Sequence, residues 1–277
     1  MKIAVLSGKG GTGKTFVSVN LACTAENSIY IDCDVEEPNG RLFLKPFDVT
    51  SDEVVTMIPE FDGEKCTGCR KCVDFCRFNA LFYIKEKPAV ITEVCHACGG
   101  CAIVCPEGAI SEVARAVGNM ETGTHGSVDV ITGILNPGEA SAIPVIQKVL
   151  ETGFKKDKLT VIDCPPGSSC SAMESISQAD FCLMVVEPTS FGFHNFMMIY
   201  ELATLLEKKI AIVINKETQK YEPLEEFCRQ HDVPVFLRIP YSKDLALSGS
   251  KGEIAVEKDE NLKKQFVELL EKIGGAL

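Results

Sequence analysis

No apolar run in the sequence is long enough to span a bilayer, and the first residues, MKIAVLSGKGG, do not read as a signal peptide. Their apolar stretch is short and runs straight into a glycine loop. The expectation is a cytoplasmic chain with no membrane insertion. A lysine- or arginine-rich tail is also missing, and the formal net charge is −11. That balance disfavours non-specific contact with nucleic acid, so no nucleic-acid partner is expected. At 277 residues the chain has room for one large α/β domain and a small insert.

Cysteine, by contrast, is abundant. There are 14, and eight fall between residues 66 and 105. In a cytosolic protein such a count points to metal rather than to disulfides. The other six (Cys23, Cys33, Cys164, Cys170, Cys182 and Cys228) are scattered.

Short apolar runs at 2–7, 28–34, 53–58, 127–135, 159–164, 181–188, 210–216 and 233–240 predict strands. Helices are predicted over 14–26, 139–153, 193–208, 222–232 and 259–273. The alternation predicts a mostly parallel sheet flanked by helices. Composition shifts between Pro59 and about Glu112, where Cys, Gly and short β-like pieces crowd together. The expected organisation is therefore a discontinuous domain, 1–59 and 113–277, interrupted by a small α+β unit over 60–112.

Residues 8–15, GKGGTGKT, match a phosphate-binding loop between a strand and a helix. Gly8, Gly10, Gly11 and Gly13 leave the backbone N–H groups around Lys9 and Thr12 free to converge on phosphate oxygens, and the helix N-terminus favours the anion. Lys14 is expected at the β- and γ-phosphates and the Thr15 hydroxyl on Mg²⁺. A purely structural glycine loop is the weaker alternative. The form KGGTGKT, with its early Lys9, resembles the deviant phosphate loop of the MinD/ParA/Mrp class of P-loop ATPases, to which the nitrogenase iron protein is related. DCDVEEPN (32–39), VIDCPPG (161–167), VINK (213–216), LNPGEA (135–140) and EPTSFGFHN (187–195) resemble further loops of that class. The resemblance implies a homodimer in which Lys9 reaches the partner's nucleotide. It also implies that Asp34 orients the attacking water, that Asp32 stands behind the Mg²⁺ and that Asp163 holds it. Asn215 and the backbone at Pro240 would bind the adenine, Gly167 would sense the γ-phosphate and Asn39 would shape its loop.

The cysteine-rich segment is a repeat. Cys66, Cys69, Cys72 and Cys76 recur 29 residues later as Cys95, Cys98, Cys101 and Cys105, and Ala80-Leu81 recurs as Ala109-Ile110. Each half reads C-x2-C-x2-C-x3-C, and residues 60–112 resemble the bacterial two-cluster ferredoxins. In that family the fourth cysteine of each run crosses over. The implied ligand sets for two [4Fe–4S] clusters are Cys66, Cys69, Cys72 and Cys105, and Cys95, Cys98, Cys101 and Cys76. Gly68, Gly99 and Gly100 would let backbone N–H groups approach the cluster sulfurs. Pro106 follows the second run as in the family, whereas Arg77 replaces the first proline; it either raises a cluster potential or is solvated. His96 reads as a spectator. A pair of zinc sites is the alternative, against which the x3 spacing and the duplication argue.

Three functions compete for this combination. The first is a homodimeric ATPase hydrolysing Mg-ATP and coupling nucleotide state to electron transfer with a redox partner protein through two [4Fe–4S] clusters. The second is an iron–sulfur assembly or carrier ATPase of Mrp type, although no C-x-x-C pair follows Cys105. The third is spatial positioning as by MinD or ParA. Cys170, just past the Asp163 loop, is either a ligand to an intersubunit cluster or a small buried or interface thiol.

Overall fold

The computed structural model describes residues 1–85 and 87–277. The chain begins with β1 (Lys2–Leu6), α1 (Lys14–Thr24), β2 (Ser28–Asp32) and α2 (Gly40–Leu44). The long β3 (Phe47–Phe61) then leads to α3 (Lys71–Phe75), β4 (Leu81–Ile84), β5 (Lys87–Val90) and α4 (Gly100–Ile103), and the equally long β6 (Ile110–His125) returns. There follow β7 (Val128–Leu135), α5 (Ile143–Phe154), β8 (Leu159–Asp163), α6 (Cys170–Ile176), β9 (Phe181–Val186) and α7 (Ser190–Leu205). The chain ends with β10 (Lys209–Glu217), α8 (Glu222–Gln230), β11 (Val235–Pro240), α9 (Lys243–Ser250) and α10 (Glu260–Ala276).

One sheet has the order β11-β10-β9-β1-β8-β2-β7-β6-β3. From β11 to β7 every pairing is parallel, and β6 runs antiparallel to both β7 and β3. The central strands are apolar on both faces, as a sheet covered on both sides requires. One face carries Val145, Ile146 and Val149 of α5, Phe196 of α7 and Leu224 of α8. The other carries Val17 and Leu21 of α1 and Phe266, Leu269 and Ile273 of α10. Phe266 is fully buried, and removing a side chain of that size from water contributes about 2 kcal/mol.

The strand expected over 53–58 is the middle of the 15-residue β3, and β6 was not foreseen as a strand of 16 residues. β3 is the edge strand and β6 its neighbour, both with mostly exposed or half-exposed side chains, so neither has the continuous apolar signature of a buried strand. The divisions drawn at residues 59 and 113 fall inside β3 and β6, which run across them in register, Pro59 opposite Glu112. The helix expected from residue 139 begins at Ile143, with Pro144 in its first turn, where the missing N–H costs nothing. Similarly α7 begins at Ser190, before Phe193, because Thr189 Oγ1 accepts the Gly192 N–H at 3.0 Å. The short α2, α6 and α9 were not anticipated.

Between β3 and β6 the backbone repeats as the sequence does. Asp62 N–H donates to Ala109 O at 2.9 Å, and Ile91 N–H to Ala80 O at 2.8 Å, the same bond with the halves exchanged. The 29-residue offset also maps left-handed Arg70 (φ 66°) onto Gly99 (φ 70°), and Asn79 (φ 54°) onto Gly108 (φ 58°). Ala80 and Ala109 are both buried. The two halves are thus related by a local pseudo-two-fold, with α3 packed on α4.

Candidate functional site

The phosphate loop joins β1 to α1 at the carboxyl ends of the parallel strands, where open α/β sheets bind ligands. Gly13 caps α1 in a left-handed conformation (φ 97°), and a Cβ there would lie 2.1 Å from Asn215 Nδ2. Only glycine satisfies both constraints. Asn215, near the end of β10, donates from that nitrogen to Thr12 O at 2.8 Å, so it braces the loop from below. At the other end of the loop, a Cβ on Gly8 would meet the Asn195 carbonyl oxygen at 2.1 Å.

Lys14 lies beneath the loop, 94 % buried, with Nζ 2.6 Å from Asp163 Oδ1 and 3.4 Å from Asp34 Oδ2. Burial alone would lower its pKa, but Asp163, Asp34 and Asp32 outweigh that and hold it above the usual lysine value. Asp163 is fully buried and also accepts from Tyr30 Oη at 2.8 Å. Asp32, equally buried, accepts from the Gly40 and Asp34 N–H groups at 3.0 and 3.1 Å. Burial, then the neighbouring Asp163, pushes the Asp32 carboxyl well above the ordinary range. Three carboxylates thus face one ammonium in a low-dielectric pocket. With Asp32 pushed toward its neutral form by this crowding, a divalent cation entering the pocket would favour the ionised form of all three.

A cavity of about 770 Å³ opens above these groups, lined by Gly10, Gly11, Gly13, Lys14, Thr15, Asp34 and Asn39. A smaller one, about 160 Å³, continues past Gly13 and Phe16 to Asn215, Pro240 and Tyr241. Gly10, Gly11, Gly13, Lys14 and Thr15 thus share a rim with Asn215 and Pro240 through Gly13 and Phe16, whereas Gly8, Thr12 and Asp163 line neither cavity. Gly167 (φ 83°) donates its N–H to Ser7 O at 2.9 Å, tying the Asp163 loop to the phosphate loop.

Lys9 leaves this group. Its Nζ lies 2.7 Å from Glu187 Oε2, and Lys216 Nζ lies 2.8 Å from Glu187 Oε1. Burial opposes ionisation of Glu187, but the two lysines hold its pKa below the usual value. Tyr30, Glu187, Lys216 and Tyr241 were not singled out from sequence. Tyr30 lies in an apolar strand that reads as core, and Glu187 shows itself only as an acid ending β9.

The eight clustered cysteines fall into two groups. One cavity is lined by Cys66, Cys69, Cys72 and Cys105, and a second by Cys76, Cys95, Cys98 and Cys101. Each group takes three cysteines from one run and the fourth from the other. Among the described residues no three of these sulfurs lie within 4.8 Å of one another. A tetrahedral zinc ion, with Zn–S of about 2.3 Å, needs sulfurs about 3.8 Å apart, so the spacing suits a larger centre. Ala109 N–H points at Cys105 Sγ, at 3.3 Å. Arg77 is exposed at the rim of the second cavity, and His96 stacks on Phe78 with ring centroids 3.8 Å apart. Gly100 is buried against Phe75, where a Cβ would meet the ring at 2.3 Å, so a larger residue here would have to displace that ring. Cys170 is exposed at the start of α6, so of the readings drawn from sequence the buried thiol is set aside, while an interface thiol and an intersubunit ligand both remain compatible with its position.

A polar bridge joins the two regions. Arg115 of β6 forks onto Glu139 at 2.8 and 2.7 Å, and Glu93 Oε1 lies 3.9 Å from the same guanidinium. Glu93 O accepts the Ala140 N–H at 3.0 Å. Glu93 precedes Cys95 by two residues, and the segment after Ala140 enters α5, where Ala142 and Ile146 line the larger cavity.

Fold and loop together define a P-loop nucleotide-binding protein. The chain belongs to the CobQ/CobB/MinD/ParA nucleotide-binding domain family, whose profile matches residues 3–256. An uncharacterised protein of Methanocaldococcus jannaschii is 29% identical over 277 residues, 99% of this chain and 96% of that one. An uncharacterised ferredoxin of the same organism is 42% identical over 53 residues, 18% of this chain and 69% of that one. Among solved structures, the septum site-determining protein MinD complexed with Mg-ADP from Pyrococcus horikoshii superposes with a TM-score of 0.60. It is 19% identical and the match covers 98% of this chain and 95% of that one, a likeness of fold. Among the described residues no helix is long and apolar enough to cross a membrane.

Proposed function

We propose that this protein is a homodimeric, cytoplasmic ATPase that couples its nucleotide state to electron transfer through two [4Fe–4S] clusters held by residues 60–112. The observation that carries the reading is the crossed grouping of the eight cysteines around two cavities, in the segment between β3 and β6, two strands of the nucleotide-binding sheet. The first cluster would be held by Cys66, Cys69, Cys72 and Cys105, the second by Cys76, Cys95, Cys98 and Cys101. When bound, the clusters supply one-electron chemistry. Cys69 and Cys98 are the exposed members of the two groups, which supports exchange of electrons with a partner protein at that surface.

In the nucleotide site, the loop N–H groups and Lys14 bind the phosphates. Thr15 and Asp163 hold Mg²⁺, and Asp34 orients the attacking water. Lys14 must release Asp163 as nucleotide and metal enter, which leaves that carboxylate free for the cation. Lys9 must leave Glu187 to reach a partner's nucleotide. The Arg115–Glu139–Glu93 bridge is the link through which the two sites would act on each other.

The test is an anaerobic redox titration followed by EPR, with and without Mg-ATP. A nucleotide-dependent change in cluster potential or line shape supports the proposal. Identical spectra, together with partner kinetics that ignore nucleotide, would sink it. Rapid cluster transfer to an apo-acceptor with the fold retained would instead indicate a carrier ATPase.

A further inference from the structure

Opposite the phosphate loop, at the far end of the sheet, three side chains from distant parts of the chain converge. Cys23 lies in the last turn of α1, His125 ends β6, and Glu257 closes the 3-10 helix Ala255–Glu257. One ligand atom from each lies within 4.8 Å of the other two. His125 Nε2 is 3.1 Å from Glu257 Oε1. The other ring nitrogen, Nδ1, is buried and has no hydrogen-bond partner among the described residues. Nε2 and Oε1 stand close to the separation of about 3.4 Å that two light donors take on one tetrahedral zinc ion, so Nε2 is the nitrogen turned to a shared ion, and no protein acceptor on Nδ1 holds the ring in another orientation. The frame around it is fixed, since Val256 N–H donates to Asn20 Oδ1 of α1 at 2.8 Å.

We propose that Cys23, His125 and Glu257 form a mononuclear site for Zn²⁺, separate from the nucleotide site and from the eight clustered cysteines. The donor set is one sulfur, one imidazole nitrogen and one carboxylate oxygen, the mixture a borderline divalent ion prefers. Thiolate and carboxylate together balance the charge of Zn²⁺, and water completes the tetrahedron. The geometry also separates this group from the two cysteine cavities. Here three donors already lie within the distance one ion needs, whereas the clustered sulfurs are too far apart. The site would pin the far end of the phosphate-loop helix to the segment that enters α10. Its role is structural, because it lies at the opposite end of α1 from Lys14.

Equilibrium dialysis of the full-length, anaerobically purified protein against buffered Zn²⁺, with zinc and iron counted by mass spectrometry, tests this. Wild type should retain one zinc per chain. Cys23→Ser and His125→Gln should each weaken binding by more than about 100-fold, the upper end of the loss when only an outer partner is removed. Glu257→Gln should weaken it less, and iron content should stay at the wild-type level in all three, which also reports that they fold. Zn²⁺ should further slow alkylation of Cys23 in the unmutated protein. Wild type without zinc, variants that bind as wild type does, or a Cys23 labelling rate indifferent to zinc would each overturn the site.

Discussion

Lys9 Nζ lies 2.7 Å from Glu187 Oε2 of its own chain and 5.3 Å from the centre of the Phe191 ring. The lysine proposed to act across a dimer is thus held at home. The contact is partly solvated and worth about 1 kcal/mol. Releasing it leaves no orphaned carboxylate, because Lys216 stays on Glu187 at 2.8 Å. Two such contacts are released per homodimer, so Glu187→Gln should tighten ATP-dependent dimerisation by up to about thirtyfold, read by sedimentation velocity. Lys9→Ala should impair hydrolysis while nucleotide binding partly survives. Normal hydrolysis in Lys9→Ala would remove the dimer role.

Lys14 is the ammonium that faces Asp163, Asp34 and Asp32. Its loss leaves the fully buried Asp163 without its cation, at a cost of about 3 kcal/mol. Lys14→Ala should lower the melting temperature of the protein without Mg²⁺, and added Mg²⁺ should restore part of the loss. ATP turnover should fall at least about 100-fold, with iron content unchanged.

The crossed grouping of cysteines makes a selective prediction. Cys105→Ser should remove the cluster otherwise built on the first run, and Cys76→Ser the one built on the second. Each variant should keep half the iron, with different EPR signals surviving. Were the runs each to serve one cluster uncrossed, the two surviving signals would be exchanged between the variants.

Arg115 makes two short bonds to Glu139, and Glu93 flanks it. Arg115→Met keeps the aliphatic stem and removes the fork. Iron content and ATP affinity should be unaffected, while the shift in cluster potential on adding Mg-ATP should shrink. A full shift in this variant would place the coupling elsewhere.

Cys228 of α8 is buried, and burial, then Glu225, pushes its thiol up to about 11. A thiol pKa raised in the fold means that stability falls as pH climbs from the ordinary 9.0 toward that value, because only the unfolded thiol ionises freely. Its alkylation should rise about tenfold per pH unit over that range, as the thiolate fraction does. Exposed Cys170 should react at neutral pH. Peptide mass spectrometry distinguishes the two, and equal rates at neutral pH would contradict the burial argument.

The central strands and their helices were legible because both faces of those strands are buried, which writes a continuous apolar run into the sequence. β3 at the sheet edge and β6 beside it carry no such run, since water covers much of them, and their length was invisible. In the site, Lys14 could be named in advance because a phosphate loop fixes residue type at fixed spacing, and Asp34, Asp163 and Asn215 because their loops resemble those of the MinD/ParA class. Tyr30 and Glu187 could not, as their roles depend on which strands lie side by side.

From the chain alone came the parallel sheet, the phosphate loop and the 29-residue repeat of cysteines, since each is a local pattern imposed by periodicity or spacing. Folding alone decided that Glu187 holds Lys9, that Arg115 bridges Glu93 and Glu139, and that Cys23 meets His125 and Glu257. Those contacts join residues far apart along the chain. Their partners are selected by strand order and helix packing, which no short stretch of sequence encodes.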